Sequence, residues 1–534
     1  MKQISMCLLA AFYLASYADA QVPEVIRNDL TVSNAYKTQT NSDSIYYFQG
    51  HDGDYDFELW RSNGTPEGTY RVENLNPGGP SYPGELTMVD SLLFFMATDE
   101  NGPEQLYKTD GTAEGTRWIF DVDPEAQEQY HMLTPAGGLL YFRTSRPLIF
   151  TELWVSDGST ENTHMVDDIC GDIWISYPHE LIDFNGSLVF IAADCTTGDE
   201  TLYITSGLDG SVSQIGGQLV SELMSTGDRL FFSSFFEDYG SELGASAGSS
   251  FDVTRASDIN IGAGSSSIFH LTEVDSKLFF RAYEPDHGAE LWSYDLSTSS
   301  IQFVKDINPG AENSSFPSEL ISFKGKLYFN ATDGVHGQEI WVSDGTAEGT
   351  VMLKNINEEP ADVPYHSYPG RFFATEELLF FKADDGIHGP ELWQTDGTAE
   401  GTKMTADIWP RGYEGSDPGG FAEIGDYLVF NAWYNKRTLF RLKIHNAAVG
   451  IKDHLSESSL YSLYPNPSNS LINIASHSAS GFKYQILDLT GRELMNGVVF
   501  DDQVIQLDLP FGPGIYLFYA ETDHTSYTSK FIIR

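Results

Sequence analysis

An all-β fold follows from three features of the 534-residue sequence. A short text recurs along most of the chain. An apolar strand precedes each copy at a nearly constant interval. Tyr, Phe and Trp are abundant while helix-periodic runs are scarce, the balance expected of strands.

The clearest copy is ATDGVHGQEIWVSDGTAEGT, from Ala331 to Thr350. GPELWQTDGTAEGT at Gly389–Thr402, FELWRSNGTPEGT at Phe57–Thr69 and EQLYKTDGTAEGT at Glu104–Thr116 repeat it closely, and TELWVSDGSTENT at Thr151–Thr163 is a worn version. Such a period governs the reading of every residue inside it. Each copy reads as a β-hairpin. Glu339-Ile340-Trp341-Val342 alternates and is rich in strand formers. Asp344-Gly345 then supplies a turn, because Gly takes a positive φ freely and Asp or Thr can bond the local backbone. A second glycine, Gly349, implies a loop longer than two residues.

The apolar strand ends on an aromatic at Tyr47, Phe95, Phe142, Phe190, Phe232, Phe280, Phe329, Phe381 and Phe430, 42 to 52 residues apart. Each interval holds four strands. In unit seven they are a, Glu319–Phe323; b, Lys326–Ala331; c, Glu339–Ser343; and d, Thr350–Ile356. Four antiparallel strands per repeat is the pattern of a propeller blade. Blades stack face to face, so strand b is buried on both sides and reads as a near-continuous apolar run, as in Leu92–Met96 and Leu378–Phe381. A β-solenoid is the rival, but its coils are usually shorter. The expected fold is a β-propeller of eight or nine four-stranded blades over residues 21–445, then a small C-terminal β-sandwich. Units four to six have drifted in text. Unit nine has no convincing d strand after Thr438–Leu442, so a lead-in strand, Val25–Arg27 or Leu30–Ser33, is expected to complete it and close the ring. The tally of strands b favours nine.

The formal charge is −47, from 77 acidic and 30 basic residues. That excludes the basic footprint of a nucleic-acid binder and suits a secreted protein in salty or calcium-containing surroundings. Residues 1–20 read as a secretory signal: Lys2, an apolar run Met6–Tyr17, and the small-x-small site Ala18-Asp19-Ala20. The run is too short for a membrane anchor, and no later segment is long and apolar enough to span. Removing Cys7 with the signal leaves Cys170 and Cys195, and an oxidising location permits a disulfide. Strand direction supports it. Cys170 ends strand d of unit three and Cys195 ends strand b of unit four, so both reach the same face of neighbouring units. Asn-x-Ser/Thr sites occur at Asn63, Asn185, Asn313 and Asn330, partly because Gly, Ser and Thr are common in the turns, and carry little weight. Residues 446–459 form a polar linker. From 460 to 534 the pattern changes to short alternating strands with Pro-Asn-Pro and Gly punctuation, the composition of a small sandwich.

Two resemblances follow. Glu58-Leu59-Trp60, Glu152-Leu153-Trp154, Glu339-Ile340-Trp341 and Glu391-Leu392-Trp393, with their Gly-Thr turns, resemble the ELWxxDGT-repeat proteins secreted by bacteria. That resemblance covers most of the chain and implies no catalytic motif. Tyr464-Pro465-Asn466-Pro467, Gly491-Arg492, Gly514-Ile515-Tyr516 and the end Lys530–Arg534 resemble the type A C-terminal sorting domain of type IX secretion cargo. This second resemblance implies recognition by the type IX secretion machinery and removal of the domain. It also implies release or attachment at the outer cell surface, and a Bacteroidetes-type source.

The most polar loops lie between strands b and c. Carboxylates and carbonyls in a loop can hold calcium, which makes Asp52, Asp54, Asp333, Asp384 and Asp385 the candidate metal ligands and calcium the candidate cofactor. No loop carries the full twelve-residue calcium pattern, and the same residues build turns. His51, His287, His336 and His388 fall at equivalent places in different units, so a ring keeps them apart and no zinc site is expected. No nucleophile elbow, phosphate loop or paired-cysteine motif occurs, so no catalytic residue is assigned. The strand-c aromatics, among them Trp60, Tyr107 and Trp341, read as packing residues. An active site gathers unlike groups at one point, whereas a repeated turn offers the same groups around a ring. The expectation is therefore a non-enzymatic surface binding or adhesion propeller, with a polysaccharide or a cell-surface protein as partner. A glycan-directed hydrolase or lyase and a structural surface-layer component are the alternatives. The d–a connections vary most in text (76–84, 170–178, 308–317, 357–369 and 409–420). They share a face with the b–c loops, and that face is the expected binding surface.

Overall fold

Strand b of each unit serves two interfaces at once. In unit seven, Leu327, Phe329 and Ala331 pack with Phe279, Leu291 and Val304 of unit six. Tyr328, between them, packs with Leu379 and Phe381 of unit eight. Strand c does the same: Trp341 faces unit six, and Ile340 and Val342 face unit eight. Successive side chains of a strand point to opposite faces. A strand sandwiched between two sheets is therefore apolar at most positions, which accounts for runs such as Leu327-Tyr328-Phe329, with buried Asn330 as the exception in unit seven.

The computed structural model describes residues 22–444 apart from 34–36, 122–130, 171–175, 359–365 and scattered single or paired residues, and the strands of the C-terminal segment from Tyr461 onward. The expected signal peptide and linker lie outside the described residues. All regular structure among those residues is β-strand. Nine antiparallel sheets of four strands follow one another between Glu24 and Lys443, the first of them with an extra short strand. Unit seven consists of Ser318–Phe323, Lys326–Thr332, Gln338–Ser343 and Val351–Lys354, joined in that order. The first strand of each sheet lies against the first strands of its neighbours, and Gly419–Ile424 of unit nine lies against Gln39–Asn41 of unit one. The lead-in does complete unit nine: Glu24–Val25 pairs antiparallel with its last strand, Glu24 opposite Arg441 and Val25 opposite Phe440. The drifted units still form four strands each. In unit five Gly244 stands where others carry Trp, Tyr or Phe, and a Cβ there would lie 2.7 Å from the Phe232 ring.

Unit one needs a correction of register. Phe48, not Tyr47, stands opposite Trp60 as Phe329 stands opposite Trp341. Tyr47 points the other way, into the cluster with Leu93 and Phe95 of unit two. The three consecutive aromatics Tyr46-Tyr47-Phe48 hide the pleat from a reading of the text alone.

The Asp-Gly-Thr turn closes on itself. Asp344 Oδ1 accepts the Thr346 N–H (2.9 Å) and hydroxyl (2.7 Å). Thr346 Oγ1 in turn accepts the Gly349 N–H at 2.9 Å, and the Thr350 hydroxyl donates to the Thr346 carbonyl at 2.6 Å. Gly345 has φ +87°, and a Cβ on Gly349 would lie 2.1 Å from Asp344 Oδ1. The two glycines thus have separate reasons, one conformational and one steric. In the worn copy Asn162 replaces the second glycine and bonds Asp157 directly at 2.6 Å.

The glutamate of the repeated text is buried in each of the six units that carry it, Glu58, Glu152, Glu242, Glu290, Glu339 and Glu391, while units two, four and nine have Gln105, Thr201 and Thr438 at that place. Glu339 is fully buried. Its Oε2 accepts the Ile356 N–H at 2.8 Å and the Ser367 hydroxyl at 2.7 Å, and its Oε1 accepts the Asn357 N–H at 3.3 Å. Glu290 binds Ile307, Asn308 and Ser315 in the same way, Glu391 binds Ile408, Trp409 and Ser416, and Glu58 binds Leu75 and Ser81. All these donors belong to the connection from strand d to the next unit. Burial pushes Glu58, Glu152, Glu290 and Glu339 up to about 7 against the pull of these hydrogen bonds.

Cys170 and Cys195 form the expected disulfide, with Cα atoms 5.1 Å apart. It ties the end of unit three to the b–c loop of unit four. The chain divides after Lys443 into two compact units. The second contains a three-stranded sheet of Tyr461–Tyr464, Leu471–Ser476 and Val504–Asp508, and a four-stranded sheet of Glu493–Val499, Phe482–Leu487, Gly514–Glu521 and Ser526–Ile533.

Three outcomes are expected. The buried glutamates have folded-state pKa values above the ordinary 4.5. Their contribution is complete below that value and is lost as pH rises to about 7. Urea midpoints should therefore fall across that window. Glu339→Gln should flatten the profile by one unit's share, up to about 3 kcal/mol; an unchanged profile would assign the titration elsewhere. Gly349→Ala should destabilise by about 1–3 kcal/mol, and adding Asp344→Ala should cost less than the sum of the two single changes, read in a double-mutant cycle. Replacing both Cys170 and Cys195 by Ser should lower stability by about 3 kcal/mol, measured by denaturation of the oxidised and double-serine proteins.

Candidate functional site

The b–c loops are built by their own carboxylates. Asp333 Oδ1 accepts the N–H groups of Val335 (2.9 Å) and His336 (2.8 Å), and its Oδ2 lies 2.7 Å from His336 Nδ1. Asp385 repeats the arrangement with Ile387 and His388. Burial works to raise the Asp333 carboxyl, but the bonds from His336 and Val335 outweigh it and hold the group below its ordinary value. The hydrogen bond from Asp385 raises His388. Asp384 accepts the Gly386 N–H at 2.8 Å. Asp52 is exposed, and Asp54 lies outside the described residues. The structure does not gather these candidates. They sit in units one, seven and eight, and among the described residues no three His, Cys, Asp or Glu side chains form a group able to hold a metal.

His51 departs from the expected equivalence. It ends strand b, is buried, and stacks on Tyr55 at 5.1 Å with Phe57 edge-on at 4.6 Å. His336 and His388 instead lie within b–c loops, paired with the aspartate three residues before. Glu284 and His287 form a comparable pair in unit six. The strand-c aromatics Trp60, Tyr107, Trp154, Tyr203, Trp341 and Trp393 are buried, as packing residues should be.

The same end of the units carries a feature that the sequence reading missed. Each strand a from unit four to unit eight enters through two residues in the left-handed region. The inner one is a bulge in the strand: Glu180 (φ 46°), Glu222 (59°), His270 (63°), Glu319 (55°) and Arg371 (54°). Its carboxylates reach sideways. Glu222 accepts the His270 N–H of the next unit at 2.8 Å, and Glu319 accepts the Arg371 N–H at 3.0 Å. The outer residue, three earlier, is Leu219 (φ 50°) in unit five and Ser267 (49°) in unit six, and an aromatic in four others: Tyr82 (46°) in unit two, Tyr177 (48°), Phe316 (49°) and Tyr368 (45°). These four side chains are 50–57% exposed. The backbone sets this conformation, since the Ser315 and Phe316 N–H groups both point at the Ala289 carbonyl. Nothing in that turn asks for an aromatic. A bulky residue at positive φ is an outlier, and here it recurs with its ring in solvent. The text Ser-aromatic-Pro at 81–83, 176–178, 315–317 and 367–369 was the available signal.

Other exposed apolar side chains cluster at this end: Val335 and Ile387 at the tips of b–c loops, and Trp433 and Tyr434 at the end of strand b in unit nine. Asp417 occupies the aromatic's place in unit nine and is met by Arg371, Lys382 and Arg437. In the C-terminal segment, Gly514 and Tyr516 lie in the strand Gly514–Glu521, Tyr464 ends the strand Tyr461–Tyr464 and Arg492 precedes Glu493–Val499. Pro465, Asn466, Pro467 and Gly491 lie outside the described residues.

Several solved structures share a low level of likeness with the chain. A puromycin hydrolase matches 67% of this chain and 59% of its own at 12% identity, with a TM-score of 0.35. A puromycin-hydrolyzing peptidase from Mycobacterium tuberculosis matches 76% and 59% at 13% identity, TM-score 0.36. An oligogalacturonate lyase in complex with manganese matches 67% and 87% at 14% identity, TM-score 0.32. The chain covers less than two thirds of the first two. Likeness this slight carries no argument about activity. No curated protein matches the sequence. Residues 462–534 match the secretion system C-terminal sorting domain, so the chain ends in a segment that marks it for secretion.

Proposed function

We propose that residues 21–445 are a nine-bladed β-propeller of the ELWxxDGT-repeat type, exported by the type IX machinery and working as a non-enzymatic binding module outside the cell. The nine successive four-stranded sheets, the contacts between neighbouring first strands and the completion of unit nine by Glu24–Val25 support the ring. The binding surface is the end that carries the b–c loops and d–a connections. One observation carries that choice: exposed aromatic side chains recur there at positive φ, at equivalent places in units two, four, seven and eight. Strain that packing does not require is retained at sites of function. The opposite end is made of turns whose polar groups satisfy one another. The partner is a polysaccharide or a protein of a cell surface.

The sorting segment is separable from the rest. A chain truncated at about Asp453 should keep the melting behaviour of the propeller and fail to reach the surface of its natural host. Surface display of the truncated chain at the normal level would refute the assignment of export to the C-terminal segment. A polysaccharide panel, read for both binding and product release, separates a binder from an enzyme.

A further inference from the structure

Basic residues are scarce in this chain, 30 against 77 acidic, yet three converge where units eight and nine meet. Arg371 Nη1 and Lys382 Nζ each lie 3.2 Å from Asp417 Oδ1, and Arg437 Nη2 lies 2.9 Å from Oδ2. Arg371 also donates to the Pro418 carbonyl at 3.0 Å, and Arg437 donates to the Asp417 carbonyl at 3.0 Å and Asn431 Oδ1 at 2.7 Å. The cations are held by several fixed bonds rather than hanging free. Glu319 accepts the Arg371 N–H. Even with Glu319 counted, three cations face two carboxylates, in a chain whose net charge is −47. Arg371 keeps 38% of its side chain exposed.

Aromatic faces flank this charge. Phe316 in unit seven and Tyr368 in unit eight are the exposed left-handed residues of the two strands that lead up to it. Tyr368 is stacked on His366 at 4.9 Å, which fixes its ring. Strand Gly370–Ala374 lies against both Ser318–Phe323 and Gly419–Ile424, so these groups follow one rim.

An extended apolar partner would gain nothing from the cations, and a neutral glycan would use only the rings. A nucleic acid needs a far larger basic footprint. Charge at longer range repels any polyanion, but it is screened beyond about 8 Å at physiological salt. At contact range the Arg371, Lys382 and Arg437 cations around Asp417 are what a bound carboxylate would meet. A guanidinium matches a carboxylate in a planar fork, and an aromatic face accepts the apolar face of a sugar ring. We propose that the rim of units seven to nine, from Phe316 through Tyr368 and Arg371 to Lys382, binds a carboxylate-bearing polysaccharide. The proposal rests on the binding end assigned above and names its ligand class.

The test titrates alginate, dextran and poly-L-glutamate into the full mature chain by calorimetry at physiological salt. Alginate binds, and dextran and poly-L-glutamate bind at least about tenfold more weakly, ~1.4 kcal/mol. Tyr368→Ala and Arg371→Gln each weaken alginate binding by about the same factor. Lys382→Gln does so too, and serves where Arg371→Gln disturbs folding. Trp118→Ala, an exposed ring on strand d of unit two, leaves alginate binding unchanged. Absent alginate binding overturns the proposal, as does alginate binding that ignores the Tyr368 and Lys382 changes. Equal binding of poly-L-glutamate also overturns it, because charge alone would then suffice. Dextran bound as tightly as alginate and lost in Tyr368→Ala overturns the acidic ligand while leaving the binding end in place.

Discussion

A buried carboxylate at the start of strand c organises six of the nine units. Glu339 and its counterparts lie in the interior and accept bonds from two successive backbone N–H groups and a serine hydroxyl. The backbone donors are 17 and 18 residues further on, and the serine lies just before the next unit begins. Without these bonds the connection between units would bury unpaired N–H groups, each a penalty comparable to a lost hydrogen bond. With them, the path from one sheet to the next is fixed at its middle and at its end. The next strand a then begins at its left-handed residues and its bulge.

Packing was the part most legible in the text. The mostly apolar strand b, the aromatic of strand c and the turn signals are local, and each has one physical reading. Strand direction was enough to pair Cys170 with Cys195, because the ends of strands d and b must emerge on the same side. The lead-in strand was legible for a related reason. Unit nine lacked a fourth strand, and an exposed sheet edge invites a partner.

The site was legible only in part. The glutamate stood out as repeated text, yet its partners lie in a connection whose sequence varies, so its role needed three dimensions. Asp333 and Asp385 carry ligand chemistry on paper, but a carboxylate that accepts two N–H groups and a histidine is already occupied by its own loop. His51 is not equivalent to the other histidines, because it lies three residues after Phe48 whereas His287, His336 and His388 each lie seven after the matching Phe. The Ser-aromatic-Pro text was present four times and passed unread, because φ cannot be seen in a sequence and proline after an aromatic looks like an ordinary turn.

The pairing of Glu24–Val25 with the strand Lys436–Lys443 has a consequence for the order of assembly. Eight of the sheets draw their four strands from one continuous stretch and can form as soon as that stretch is available. Unit nine alone is made from both ends of the chain. Its last edge stays open until the N-terminal segment returns across some four hundred residues, and that loop-closure penalty grows only with the logarithm of the length. Whole units could be gained or lost between those strands at little loop-closure cost, while the loss of Glu24–Val25 would leave the last edge of unit nine open. The seam lies inside a sheet rather than between two sheets, so the joint is made of backbone hydrogen bonds, which demand a register, and not of side-chain packing, which could slide.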